Sequence, residues 1–178
     1  MRLYHFSEEP GIGLFVPRPP EARPEMEPLI WAVDEEHAAT YLFPRDCPRI
    51  LLWPTEATSA EDLERWWGDR DASFIACVEW EWFQRLREGR LYRYVMPAES
   101  FVPLPDDPWM WVSRAAVEPL AVEPVGDLVA ALATARVELR IMPSLRPLWG
   151  VWESTLHFSG IRLRNSRTWP QAELRPPG

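Results

Sequence analysis

The chain has 178 residues, 47% of them hydrophobic, with eleven Trp and a formal net charge of −8. That is enough apolar material for one packed domain, and an acidic surface disfavours nonspecific nucleic-acid binding, which draws on basic side chains. Cys47 and Cys77 are too few for a disulfide framework and are not spaced as zinc ligands; no metal is expected. No run reaches the ~20 apolar residues of a bilayer span and no signal-peptide pattern opens the chain, so the expected location is the cytoplasm. The chain is also arginine-rich and lysine-free: all nineteen basic residues are Arg.

Taken in chain order, Arg2–Phe6 alternates and is aromatic, which predicts a strand. Residues 8–28 hold six prolines and two glycines without an apolar period, and predict a long ordered loop. Leu29–Val33 predicts a buried strand, and Asp34 is placed to cap a helix through Phe43, ended by Pro44. Strands are expected at 49–53 and 73–79, with a short helix from Ser59 to Trp67 between them and another helix stopping at Gly89. A strand at 91–96, a Pro/Asp loop at 97–108 and strands at 109–113 and 117–123 follow. The last part reads as a helix at 127–135, a strand at 136–142, a helical turn at 144–150, a strand or hairpin around Gly160 and a frayed tail from Trp169. Short strands irregularly interleaved with short helices predict an α+β fold with a mixed, largely antiparallel sheet in a single domain, 1–178.

His5 lies mid-strand, where an imidazole is either a core residue with one satisfied nitrogen or a donor to a ligand hydroxyl. Phe43-Pro-Arg-Asp-Cys-Pro-Arg49 is a rigid loop whose Arg45 and Arg49 suit a pyrophosphate, or pair internally with Asp46; the same arginines would activate Cys47 as a thiolate. His157, Arg162 and Arg164 form a second basic stretch, expected to alternate on one strand face. Glu138 and Glu153 are acid/base candidates that no spacing selects, and His37 and Tyr41 share a predicted helix face at i, i+4. Gly11-x-Gly13 is no phosphate loop, because no helix pattern follows it.

Leu3-Tyr-His-Phe-Ser7, and Ile30-Trp-Ala-Val-Asp34 followed by Ala38-Ala-Thr-Tyr41, resemble the first two motifs of the ADP-ribosyltransferase fold across residues 2–123. The resemblance implies NAD as substrate, His5 on its ribose, and Trp31 stacking on nicotinamide where the family has Tyr, with Tyr41 on the following helix. Asp106-Asp107-Pro108 and the later Ser113-Arg114 are similar to the rifampin-modifying members, which makes Asp107 the candidate for orienting the acceptor. Trp109–Ser113 carries no acid where the family has one, and residues 125–168 stand as a C-terminal extension outside the resemblance. The whole chain also resembles a bacterial family of unknown function through Tyr4-His-Phe-Ser-Glu8, Phe43–Arg49 and Ile161-Arg-Leu-Arg-Asn165. The alternative function is a non-catalytic module that binds a nucleotide or a protein partner.

Overall fold

The computed structural model describes residues 1–20 and 24–170. The fold is α+β, with mixed, largely antiparallel strand pairing and a few short helices; the strands divide between two sheets. In chain order they are β1 (Leu3–Ser7), β2 (Ile30–Asp34), β3 (Arg49–Trp53), β4 (Phe74–Glu79), β5 (Tyr92–Met96), β6 (Val102–Pro103), β7 (Met110–Ser113), β8 (Ala121–Pro124), β9 (Val137–Met142) and β10 (His157–Ile161). The chain forms two compact units: the first comprises Met1–Leu42 and Arg90–Gly126, the second Phe43–Gly89 and the chain from Asp127 onward.

The first unit is a six-stranded antiparallel sheet in the order β6-β7-β2-β1-β5-β8. Alternation sorts its side chains onto two faces. Leu3, Ile30, Ala32, Tyr94 and Met96 project to one face and pack with Phe101, Val117 and Phe15. Phe15 comes from the described part of the proline-rich loop and anchors it to this core. Phe15 and Val117 exchange both backbone hydrogen bonds at 2.9 Å. The Tyr94 hydroxyl donates to the Glu9 carbonyl at 2.5 Å and accepts from the Ile12 amide at 3.1 Å. Tyr4 and Phe6 lie on the opposite face, where Phe6 stacks on Tyr41 and the Arg93 guanidinium covers Tyr4 at 4.8 Å.

The helix expected from Asp34 to Phe43 is a single 3-10 turn, Ala38–Tyr41. Asp34 Oδ1 does accept from the His37 amide at 2.8 Å, but it also meets the His37 ring at 2.8 Å, which closes a local turn. Pro44 has no amide to donate and disfavours a helical residue before it, so nothing carries the turn further.

The second unit is a four-stranded sheet in the order β10-β3-β4-β9, antiparallel except for β4 with β9. β3 and β4 are buried along their whole length, which explains their unbroken apolar runs. Helix α1 (Ala60–Asp62) starts where Ser59 Oγ accepts from the Asp62 amide at 3.2 Å, and a wide turn extends it to Trp67. Helix α2 (Phe83–Glu88) stops at Gly89, and Asp127 caps α3 (Leu128–Thr134) through the Ala130 amide at 2.9 Å. Residues 125–168 supply β9 and β10, the two outer strands of this sheet.

Gly160 makes no hairpin; it sits inside β10 opposite Ile50, where a Cβ would fall 2.6 Å from the Leu163 side chain. Trp169, expected to begin a frayed tail, is buried against Trp149 at 5.0 Å, because the aromatic cluster with Trp152 and Phe158 needs its ring. The expected tail beyond Pro170 lies outside the described residues.

Candidate functional site

β1 pairs with β5 over all five of its residues but with β2 at two positions only, Leu3 with Asp34 and Tyr4 with Val33. Beyond that point the pairing is replaced by a side chain. His5 Nδ1 lies 2.7 Å from the Trp31 carbonyl oxygen. A carbonyl only accepts, so Nδ1 carries the proton. The half-buried imidazole packs against Phe15, with ring centroids 4.8 Å apart.

His5 and Trp31 are thus joined, but ring to backbone rather than ring to ring. His5 projects to the face of Leu3 and Tyr94, whereas Trp31 falls between Ile30 and Ala32 of that face and so projects to the other. Tyr41 is on the Trp31 side: it stacks on Phe6 and its hydroxyl donates to Met110 Sδ at 3.4 Å. His37, expected to share a helix face with Tyr41, instead binds Asp34 and packs on Trp109 at 5.2 Å.

Asp107 stands in the loop entering β7, and its carbonyl accepts from the Met110 amide at 2.8 Å. β2 separates β7 from β1, so this carboxylate is two strands from His5. Burial, with Asp106 beside it, raises the Asp107 carboxyl above its ordinary value.

Arg45 and Arg49 belong to the second unit. Arg45 is exposed, whereas Arg49 is only 3% exposed; its guanidinium donates to the Cys47 carbonyl at 3.1 Å and lies 5.0 Å over the Phe43 ring. Arg49 is therefore an internal strut of the Phe43–Arg49 loop, and Asn165 Nδ2 donates to the Asp46 carbonyl at 2.8 Å to hold the same loop. Cys47 is fully buried, and that burial pushes its thiol from 9.0 up to about 12 despite the opposing charges of Arg49 and Arg85. It is a thiol, not a nucleophilic thiolate.

The other candidates resolve into structural parts. His157 packs on Trp53 with centroids 4.1 Å apart. Arg162 and Arg164 do not share a strand face, because Arg162 takes a left-handed conformation (φ 56°) that ends β10, and Arg164 lies in the 3-10 turn after it. Burial would raise the Glu138 carboxyl, but ion pairs with Arg140 at 2.9 Å and Arg70 at 2.8 Å hold it below its ordinary value. Among the described residues, no group of three or more His, Cys, Asp or Glu could hold a metal ion, and no helix is long and apolar enough to cross a membrane.

One residue that the sequence reading passes over stands out. Trp111 on β7 faces Ala32 across the pair and packs against the same core as His5's neighbours. Its Nε1 is buried and donates to no described residue. The alternating Trp109-Met-Trp111 string places the ring on a face, but hydrogen-bond satisfaction is a property of the folded chain and leaves no trace in sequence.

Residues 4–166 match the model of a family of unknown function, DUF6886. The chain belongs to that family. The match to DUF6886 includes every candidate named above and nearly the whole of both units. No curated protein and no solved structure matches the chain.

Proposed function

We propose that this DUF6886 protein binds a nicotinamide nucleotide on its first unit, at the point where β1 and β2 stop pairing, and that ADP-ribose transfer from NAD is the reaction this site suits. The observation that supports it is the His5–Trp31 junction. An imidazole with one tautomer and one orientation fixed by a 2.7 Å hydrogen bond stands where two strands part, with aromatic rings on either side of the sheet. In this reading His5 positions the ribose, and Trp31 and Tyr41 offer stacking faces. The N-glycosidic bond breaks, nicotinamide leaves with the bonding pair, and an acceptor nucleophile joins ribose C1′ and loses its proton. A carboxylate near the ribose stabilises the cationic transition state; Asp107 is the candidate.

A second reading, nucleotide binding without chemistry, is favoured by one specific observation: Asp107 is two strands away from His5. NAD separates the two. Under both, NAD raises the melting temperature and His5→Ala removes the shift. Only the enzyme releases nicotinamide from NAD, and Asp107→Ala stops the release while leaving the thermal shift. A melt that NAD does not move refutes both readings.

A further inference from the structure

The Trp31 face of the first sheet carries an arginine in line with its aromatic rings. Phe6 and Trp31 both project away from the core formed by Leu3, Ile30, Ala32 and Tyr94. Tyr41 lies over Phe6, with centroids 6.4 Å apart and planes 9° apart. Phe6, Trp31, Tyr41 and Arg93 are each half-buried, so part of every one of these side chains meets solvent. The strand register sets Arg93 directly across from Phe6, and Glu123 directly across from Arg93. β1 lies between β2 and β5, so Trp31 and Arg93 are separated by two strand spacings, about 10 Å. One pentose between a flat ring and a phosphate, together with the reach of an arginine side chain, covers that interval. The Arg93 guanidinium donates twice to Glu123 Oε2, at 3.0 and 2.6 Å, and the two side chains are 43% and 47% exposed. An ion pair so open to water holds its partners weakly. A phosphate, which takes both arms of a guanidinium on separate oxygens, can displace the carboxylate.

From this placement we infer that Arg93 binds the phosphate of a mononucleotide unit whose ring stacks at Trp31 and Tyr41, and that Glu123 is a built-in competitor which the phosphate displaces. The inference rests on the nucleotide reading above and deepens it, since it gives the anionic part of the ligand a residue of the first unit, on the same face as the stacking rings. A row of aromatic rings that ends in a cation suits a planar ring joined to an anion better than it suits either alone. Arg2 is less well placed. It stands four residues back from Phe6, about 13 Å along the strand, and lies 3.6 Å from Glu35. Arg93 is a binding residue here, and no bond changes at it.

Calorimetric titration of the full chain compares ligands that differ by one phosphate: nicotinamide riboside with nicotinamide mononucleotide, and adenosine with AMP. In the native chain the phosphate is expected to tighten binding about tenfold in at least one pair, the scale of a hydrogen bond to a charged group. Arg93→Gln removes most of that gain and leaves nucleoside binding as it was. Glu123→Gln releases Arg93 and enlarges the gain about two- to fivefold, which damage to the fold would not do. Arg2→Gln leaves the gain unchanged. If nucleoside and mononucleotide bind the native chain alike, if the gain survives Arg93→Gln or is lost in Arg2→Gln, or if Glu123→Gln does not enlarge it, the assignment is wrong and the nucleotide reading stands. If neither NAD nor any of these ligands binds the native chain, both fall together. Where Arg93→Gln folds poorly, Glu123→Gln decides the matter alone.

Discussion

Glu79 offers the sharpest test of how the second unit is held together. It ends β4 with only 3% exposure, and its carboxylate gathers three donors from one short segment. Ser166 Oγ and Thr168 Oγ1 donate to Oε1 at 2.8 and 2.5 Å, and the Arg167 amide donates to Oε2 at 3.2 Å. Hydrogen bonds to a charged group are worth roughly 1.5–3 kcal/mol each, so simple addition would give about 4.5–9 kcal/mol for Glu79→Ala. The true loss is smaller, because the three bonds act as a unit and half-buried Thr168 regains water when released. We expect about 3 kcal/mol for Glu79→Ala and about 1–2 kcal/mol for Glu79→Gln, which keeps the shape and an acceptor but not the charge. Urea unfolding measures both, as a lower midpoint at unchanged slope. In a double-mutant cycle, Thr168→Val costs little once Glu79 is Gln. A loss under about 1 kcal/mol for Glu79→Ala would refute the claim that this carboxylate fastens residues 166–168.

Both cysteines are fully buried with thiols pushed from 9.0 to about 12, so at pH 8 the thiolate fraction falls about a thousandfold against a free thiol. Iodoacetamide labelling of the native chain should therefore be at least that much slower than labelling in urea, and fast native alkylation of Cys47 would refute its burial. The raised Asp107 carboxyl carries the opposite sign from most acids: its stabilising, protonated form is fully present below 3.8 and is lost as pH rises through the folded value. Asp107→Asn should thus equal the native chain in acid and melt higher at neutral pH, and a lower neutral melting temperature would overturn this. Ser59→Ala removes the acceptor that caps α1 and should cost about 1 kcal/mol by urea unfolding; no change would show that Thr155, which also donates to Asp62 at 2.7 Å, holds the turn alone.

The strands were the most legible part of the chain, because Tyr4/Phe6 against Leu3/His5, and the solid runs of β3 and β4, are direct consequences of which faces are buried. The Asp34 helix misled because a capping side chain is necessary for a helix start but not sufficient for length; the His37 ring and Pro44 decided the outcome. Ladder geometry was beyond reach. Nothing local says that β4 pairs in parallel with β9, fifty-eight residues or more along the chain, or that β1 and β2 part after two residue pairs. For the candidate site, the sequence picked out His5 and Trp31, which do prove to be neighbours. It could not show that they leave the sheet on opposite faces, nor that Arg49 points inward to Cys47 and Phe43. Those outcomes depend on strand registry and side-chain direction.

The backbone passes between its two units three times, at Leu42–Phe43, Gly89–Arg90 and Gly126–Asp127. A ribosome must therefore deliver β3 and β4 early and leave them waiting for β9 and β10, the strands that flank them. During that interval the rim of β4, Phe74-Ile-Ala-Cys-Val78, is an apolar ribbon with open hydrogen-bonding groups, the kind that recruits other chains. Fragments that stop near residue 126 should precipitate or be degraded, so neither half is obtainable by simple truncation.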